Sequence, residues 1–142
     1  MADDKKTNVL FLCTHNSARS QMAEGILKSL YGNKFEVHSA GTEPSKVNPY
    51  AIRAMHEIGI DISGNTSKSV ESYSDTHMDY VVTVCDSARE SCPAFPGAAH
   101  IIHKGFKDPS KFRGKDEEIL NGFRQVRDEI KLWVEAEFQN IQ

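Results

Sequence analysis

Cys13 and Arg19 flank five small or polar residues, Thr14-His15-Asn16-Ser17-Ala18, and Ser20 follows directly. The apolar run Val9-Leu10-Phe11-Leu12 precedes this stretch, and Gln21-Met22-Ala23-Glu24-Gly25-Ile26-Leu27 follows it. The stretch therefore reads as the turn from a buried strand into a helix. Such a turn aims the backbone N–H groups of Thr14 to Ser20, and the positive end of the helix dipole, at one point where an anion belongs. Arg19 adds a planar fork of donors that suits a tetrahedral oxyanion. The same positive potential is expected to lower the pKa of Cys13 and hold it as thiolate. A thiolate facing a bound oxyanion is a nucleophile with its target in place. Ser20 can donate its hydroxyl to that thiolate, or cap the helix, or both. Asn16 can take the left-handed backbone conformation that a cradle needs.

The elements that position these residues follow from periodicity. Met22, Ala23, Ile26, Leu27 and Leu30 predict a helix over about 20–31, stopped by Tyr31-Gly32-Asn33. Phe35-Glu36-Val37-His38-Ser39 alternates as a second strand ending at Ala40-Gly41. Asn48 as N-cap with Pro49 behind it starts a second helix, with Ala51, Ile52, Met55 and Ile58 on one face. Ile60-Asp61-Ile62-Ser63 is expected to be a short extended piece, and Thr66 to Met78 a short helix or loop. Tyr80-Val81-Val82-Thr83-Val84 is a buried strand stopping at Cys85, and Ala99-His100-Ile101-Ile102-His103 is a fourth. From about Asp116, the stripe Ile119, Phe123, Val126, Ile130, Trp133, Val134 and Phe138 marks a long last helix.

Strands alternating with helices predict an α/β fold, a four-stranded parallel sheet with helices on both faces. Ligands of open parallel sheets bind beyond the carboxyl ends of the strands. Cys13, Cys85 and Asp108 should then share one rim. Asp108, fixed by Pro109, is a candidate general acid for a departing oxygen; an Asp-Pro turn is the plainer reading.

Cys85 and Cys92 are seven positions apart in Cys85-Asp86-Ser87-Ala88-Arg89-Glu90-Ser91-Cys92-Pro93. On a helix they share a face but lie about 10 Å apart along the axis, beyond the roughly 7 Å between Cα atoms that a disulfide spans. The segment must open before they can bond. Pro93, Pro96 and Gly97 mark a loop that allows this. Two buried structural cysteines are the alternative.

The loop, Ser39-Ala40-Gly41, Asn48-Pro49, the segment Cys85 to Pro93 and Asp108-Pro109 together resemble the thioredoxin-coupled arsenate reductases, which share the fold of the low-molecular-weight protein tyrosine phosphatases. The resemblance implies a relay. Cys13 attacks arsenate and forms an adduct, Cys85 attacks the Cys13 sulfur and expels arsenite, and Cys92 attacks Cys85 so that thioredoxin can reduce the final disulfide. Arsenic(V) accepts the two electrons this requires, whereas phosphate cannot. The alternative is a phosphomonoesterase using Cys13, Arg19 and Asp108, with the other cysteines guarding Cys13 against over-oxidation; a non-enzymatic thiol sensor is the third reading. Ser110 stands where the phosphatases usually carry Tyr after Asp-Pro, and His15 where the family often has Gly, so His15 is expected to crowd or tune the pocket. Some relatives bind potassium through groups matching Asn16, Glu24, Ser39 and an Asp. Here Lys68 holds the place of that Asp, and its ammonium could stand in for the cation.

The 142 residues predict a single domain spanning 1–142. A net charge of −3 argues against nucleic-acid or anionic-membrane partners. The first apolar stretch is too short for a leader core and follows Asp3 and Asp4, and no other stretch could span a bilayer. A cytoplasmic monomer without cofactor is expected, in a compartment where a disulfide is catalytic rather than structural. His100 and His103 should point to opposite faces of a strand and so form no chelating pair.

Overall fold

Residues 6–84 and 97–141 are described by the computed structural model. Thr7–Cys13 (β1), Phe35–Gly41 (β2), Met78–Thr83 (β3) and Ala98–His103 (β4) form one parallel sheet in the order β2-β1-β3-β4. Val9, Leu10, Phe11 and Leu12 of the central strand β1 are wholly buried. A strand covered on both faces needs apolar side chains in both directions, hence the unbroken apolar run. Alternation still sorts them, with Val9, Phe11 and Cys13 in the larger core and Leu10 and Leu12 in the smaller.

Among the described residues three helices cover the larger core: Arg19–Tyr31 (α1), Pro49–His56 (α2) and Asp116–Phe138 (α3). The end of α3 is locked by aromatic edges, the Phe138 ring centroid lying 6.1 Å from that of Phe11 and 5.4 Å from that of Phe35. On the other face, Leu10, Leu12, Ala40 and Val81 meet Val70 and Tyr73 of the short 3₁₀ turn Val70–Tyr73. Asn48 caps α2 as its type predicts, its Oδ1 accepting the Tyr50 N–H at 2.8 Å.

The expected extended piece at Ile60–Ser63 is not a strand. Gly59 turns the chain with φ +79°, and the Ile60 N–H returns to the Met55 carbonyl, so the backbone serves as the helix terminator and pairs with no sheet. Ile62 then plugs the core beside Gly25, where an added Cβ would lie 2.9 Å from Ile62 Cγ2. β3 begins at Met78, two residues before the expected Tyr80.

Register decides what the sheet presents. Cys13 is paired with Gly41, Leu12 with Thr83, and Thr83 with His103, so all four strands end at one rim. Beyond that rim the Val84 N–H still bonds the Leu12 carbonyl at 2.9 Å, and the Phe106 N–H bonds the Val84 carbonyl at 3.0 Å.

Candidate active site

At the end of β1 the Cys13 side chain is buried and the chain folds into the loop 14–18. Asn16 has φ +50°, the one left-handed non-glycine among the described residues, as expected for a residue whose amide can hold the strained turn. Its Oδ1 accepts the Lys68 backbone N–H at 2.8 Å and Gln21 Nε2 at 3.0 Å. Because a backbone amide can only donate, this fixes the orientation of the carboxamide. Asn16 Nδ2 must therefore donate to Ser20 Oγ, 2.8 Å away. The Ser20 oxygen accepts from Asn16 and is 2.9 Å from Cys13 Sγ, and toward a thiolate, which can only accept, the Ser20 hydroxyl is the donor. That is the arrangement that stabilises a thiolate. Ser20 does not cap α1. The N-cap is Ala18, with no side-chain bond, so the amides of the first turn are left for an anion.

The loop is seated on β2. The Glu43 N–H bonds the Thr14 carbonyl at 2.7 Å and the Asn48 N–H bonds the Ser17 carbonyl at 2.9 Å. A Cβ on Gly41 would lie 2.5 Å from the Thr14 carbonyl oxygen and 2.8 Å from the Asn16 nitrogen, so only glycine lets the strand approach.

Arg19, on the first turn of α1, donates from Nη1 to the Phe106 carbonyl at 3.1 Å and reaches Asp108 Oδ2 from Nη2 at 3.4 Å. Asp108 also caps the 3₁₀ turn Pro109–Lys111, its Oδ1 accepting the Ser110 N–H at 3.0 Å and the Ser110 hydroxyl at 2.7 Å. The turn reading and the site reading of Asp108 thus describe one side chain. Burial pushes its carboxyl up, but the Ser110 hydroxyl, the Arg19 charge, the Ser110 N–H and Lys111 together hold it below the usual aspartate value. An oxyanion taking Asp108's place on Arg19 would reverse that balance and favour the protonated acid. Cys13, Arg19 and Asp108 line a cavity of about 70 Å³, room for one small tetrahedral ion, beside a groove of about 940 Å³ that also carries Lys107 and Lys111.

Residues 8–142 match the family described as low molecular weight phosphotyrosine protein phosphatase. The chain belongs to this family. An arsenate reductase of Halalkalibacterium halodurans is 50% identical over 125 residues, 88% of this chain and 90% of that protein. A solved arsenate reductase in the phosphate binding state superposes with a TM-score of 0.82 at 38% identity, over 96% of this chain and 99% of the other. A thioredoxin-dependent arsenate reductase of Corynebacterium glutamicum gives a TM-score of 0.64 at 28% identity, over 92% of this chain and 63% of the other.

Within this family member, Cys13, Arg19 and Asp108 line one cavity, with Ser20 and Asn16 buried behind Cys13 in a hydrogen-bonded chain, whereas Cys85 and Cys92 lie outside the described residues. Residues that sequence reasoning missed are those that tie the loop down: Gln21, fully buried and bonded to Asn16 and to the Thr66 carbonyl, and the backbone amide of Lys68. A glutamine inside an apolar helical stripe was the available signal.

The cluster Asn16, Glu24 and Ser39 does not fit a potassium ion. The Asn16 Oδ1 already accepts two hydrogen bonds, Glu24 Oε1 accepts the Ser39 hydroxyl at 2.5 Å, and Glu24 Oε2 is 3.0 Å from Lys28 Nζ. The buried Glu24 carboxylate already has a cation. Nor does Lys68 supply it, as its ammonium donates to the Thr66 carbonyl at 2.7 Å; Lys28, one helical turn along from Glu24, does so instead. His100 stacks on Tyr80, and His103 Nδ1 lies 2.7 Å from Thr83 Oγ1. Among the described residues no group of three His, Cys, Asp or Glu could hold a metal, and no helix is long and apolar enough to cross a membrane.

Proposed function

We propose that this chain reduces arsenate to arsenite as a thioredoxin-dependent arsenate reductase. The observation that carries the reading is the Cys13 sulfur, 2.9 Å from the Ser20 hydroxyl oxygen, on the floor of a cavity closed by Arg19 and Asp108. Arsenate sits on the loop amides of 14–20 and the Arg19 fork. The Cys13 thiolate attacks arsenic, an oxygen leaves as water with a proton from Asp108, and a sulfur–arsenic(V) bond forms. Cys85 then attacks the Cys13 sulfur. A Cys13–Cys85 disulfide forms, the sulfur–arsenic bond breaks, and its electron pair stays on arsenic, giving arsenite. Cys92 next attacks Cys85, freeing Cys13 and leaving a Cys85–Cys92 disulfide. A thioredoxin dithiol reduces that bond, as the thioredoxin dependence of the Corynebacterium glutamicum relative suggests. The protein works as a monomeric single domain in the cytoplasm.

The test is arsenate-dependent oxidation of NADPH through thioredoxin and thioredoxin reductase. It should run with the wild type and stop in Cys85→Ser and Cys92→Ser. Hydrolysis of an aryl phosphate that survives both substitutions, with no arsenate turnover, would instead assign the same Cys13, Arg19 and Asp108 to a phosphomonoesterase.

A further inference from the structure

His15 is exposed, yet its ring is not free to wander. Its Nδ1 lies 2.9 Å from the Glu43 carbonyl oxygen, which can only accept. Nδ1 therefore carries the hydrogen in either charge state, and Nε2 is the nitrogen left to meet a ligand. The His15 backbone is pinned as well. Its carbonyl accepts the Ser67 hydroxyl at 2.7 Å and the Ser45 N–H at 3.2 Å. His15 lines both the small cavity of Cys13, Arg19 and Asp108 and the wider basic groove, so it stands where one opens into the other. Among the described residues nothing else is bonded to Nε2.

We infer that His15 is a positioning residue that sets oxyanion affinity, its Nε2 hydrogen-bonding the oxygen of the bound ion that faces the groove. A partly protonated oxyanion offers a partner in both charge states of the ring. A neutral Nε2 accepts the ion's own O–H, and an imidazolium donates to a bare oxygen. Of the residues lining the groove, Arg19, Lys107 and Lys111 are cations against the single carboxylate of Asp108, which favours an anion there, with Glu43 the further acid next to the ring. The inference rests on the reductase reading for its natural ligand, arsenate, but not for the binding itself.

The test uses inorganic phosphate, titrated by calorimetry with no turnover, alongside KM and kcat for arsenate. His15→Asn keeps a donor where Nδ1 meets Glu43 but leaves nothing at Nε2, and His15→Gln places an amide near Nε2. His15→Asn should weaken phosphate binding about tenfold and raise KM for arsenate by a similar factor, with the change falling on KM rather than kcat. His15→Gln should restore most of both. Wild-type phosphate affinity in His15→Asn, or an equal loss in the two variants, would overturn the inference. If arsenate is not turned over by the wild type while phosphate binding still falls in His15→Asn and returns in His15→Gln, the reductase reading fails and the role of His15 stands.

Discussion

The Ser20 oxygen lies 2.9 Å from the Cys13 sulfur while accepting from the Asn16 amide, whose orientation the Lys68 N–H dictates. A hydrogen bond to a charged group is worth about 1.5–3 kcal/mol. Ser20→Ala should therefore move the midpoint of Cys13 alkylation by iodoacetamide upward by about one to two pH units. A midpoint that stays put would reduce Ser20 to a packing residue.

The Ser110 hydroxyl, the Arg19 charge, the Ser110 N–H and Lys111, outweighing burial, hold the Asp108 carboxyl below the usual aspartate value, and an oxyanion displacing it from Arg19 is expected to favour its protonation. Asp108→Asn removes the acid, so kcat for arsenate should fall by about 10²–10⁴-fold. Phosphate should bind at least as tightly, because a negative charge has left the cavity. Weaker phosphate binding in this variant would show that Asp108 organises the site rather than supplies a proton.

Gly41→Ala places a methyl group against backbone atoms of the loop, which cannot swing aside as a side chain would. The expected cost is about 1–3 kcal/mol, read as a lower urea midpoint, together with loss of phosphate binding. Retained affinity would mean that the loop does not depend on its seat on β2.

Glu57 joins α2 to α3. Arg124 Nη2 donates to its Oε2 at 2.7 Å and Arg127 Nη1 to its Oε1 at 3.0 Å. Arg124's hydrogen bonds, aided by Arg127 and opposed by burial, hold the Glu57 carboxyl down at about 2. The folded state thus binds this proton less readily than the unfolded chain, whose glutamate titrates near 4.5. The stabilisation is full above that value and is lost as pH falls toward about 2. Thermal midpoints measured across this window should fall more for the wild type than for Glu57→Gln; parallel curves would contradict the linkage.

Lys28 already neutralises the buried Glu24 carboxylate. Exchanging potassium chloride for tetramethylammonium chloride at constant ionic strength should leave KM for arsenate unchanged. In Lys28→Ala, which opens that place, the same exchange should raise it. A potassium requirement in the wild type would show that Lys28 does not stand in for a cation.

Local chemistry determined much from the residues alone. A strand's apolar run, an Asn-Pro helix start and the spacing of Cys13, Arg19 and Ser20 each impose their structure within a few residues, so β1, α1, α2 and the turn that joins β1 to α1 were legible. Ile60 and Ile62 alternate as in a strand, but that the segment joins no sheet and that Ile62 enters the core depend on Gly59 and on the space left by Gly25. Contacts between residues far apart in the chain leave no such periodic mark. That the Lys68 amide aims Asn16, that Asp108 meets Arg19, and that Lys28 rather than Lys68 answers Glu24 were decided only when strand register and helix packing set those groups within hydrogen-bond reach. A side chain's charge and donors belong to its type, but its partner belongs to the fold.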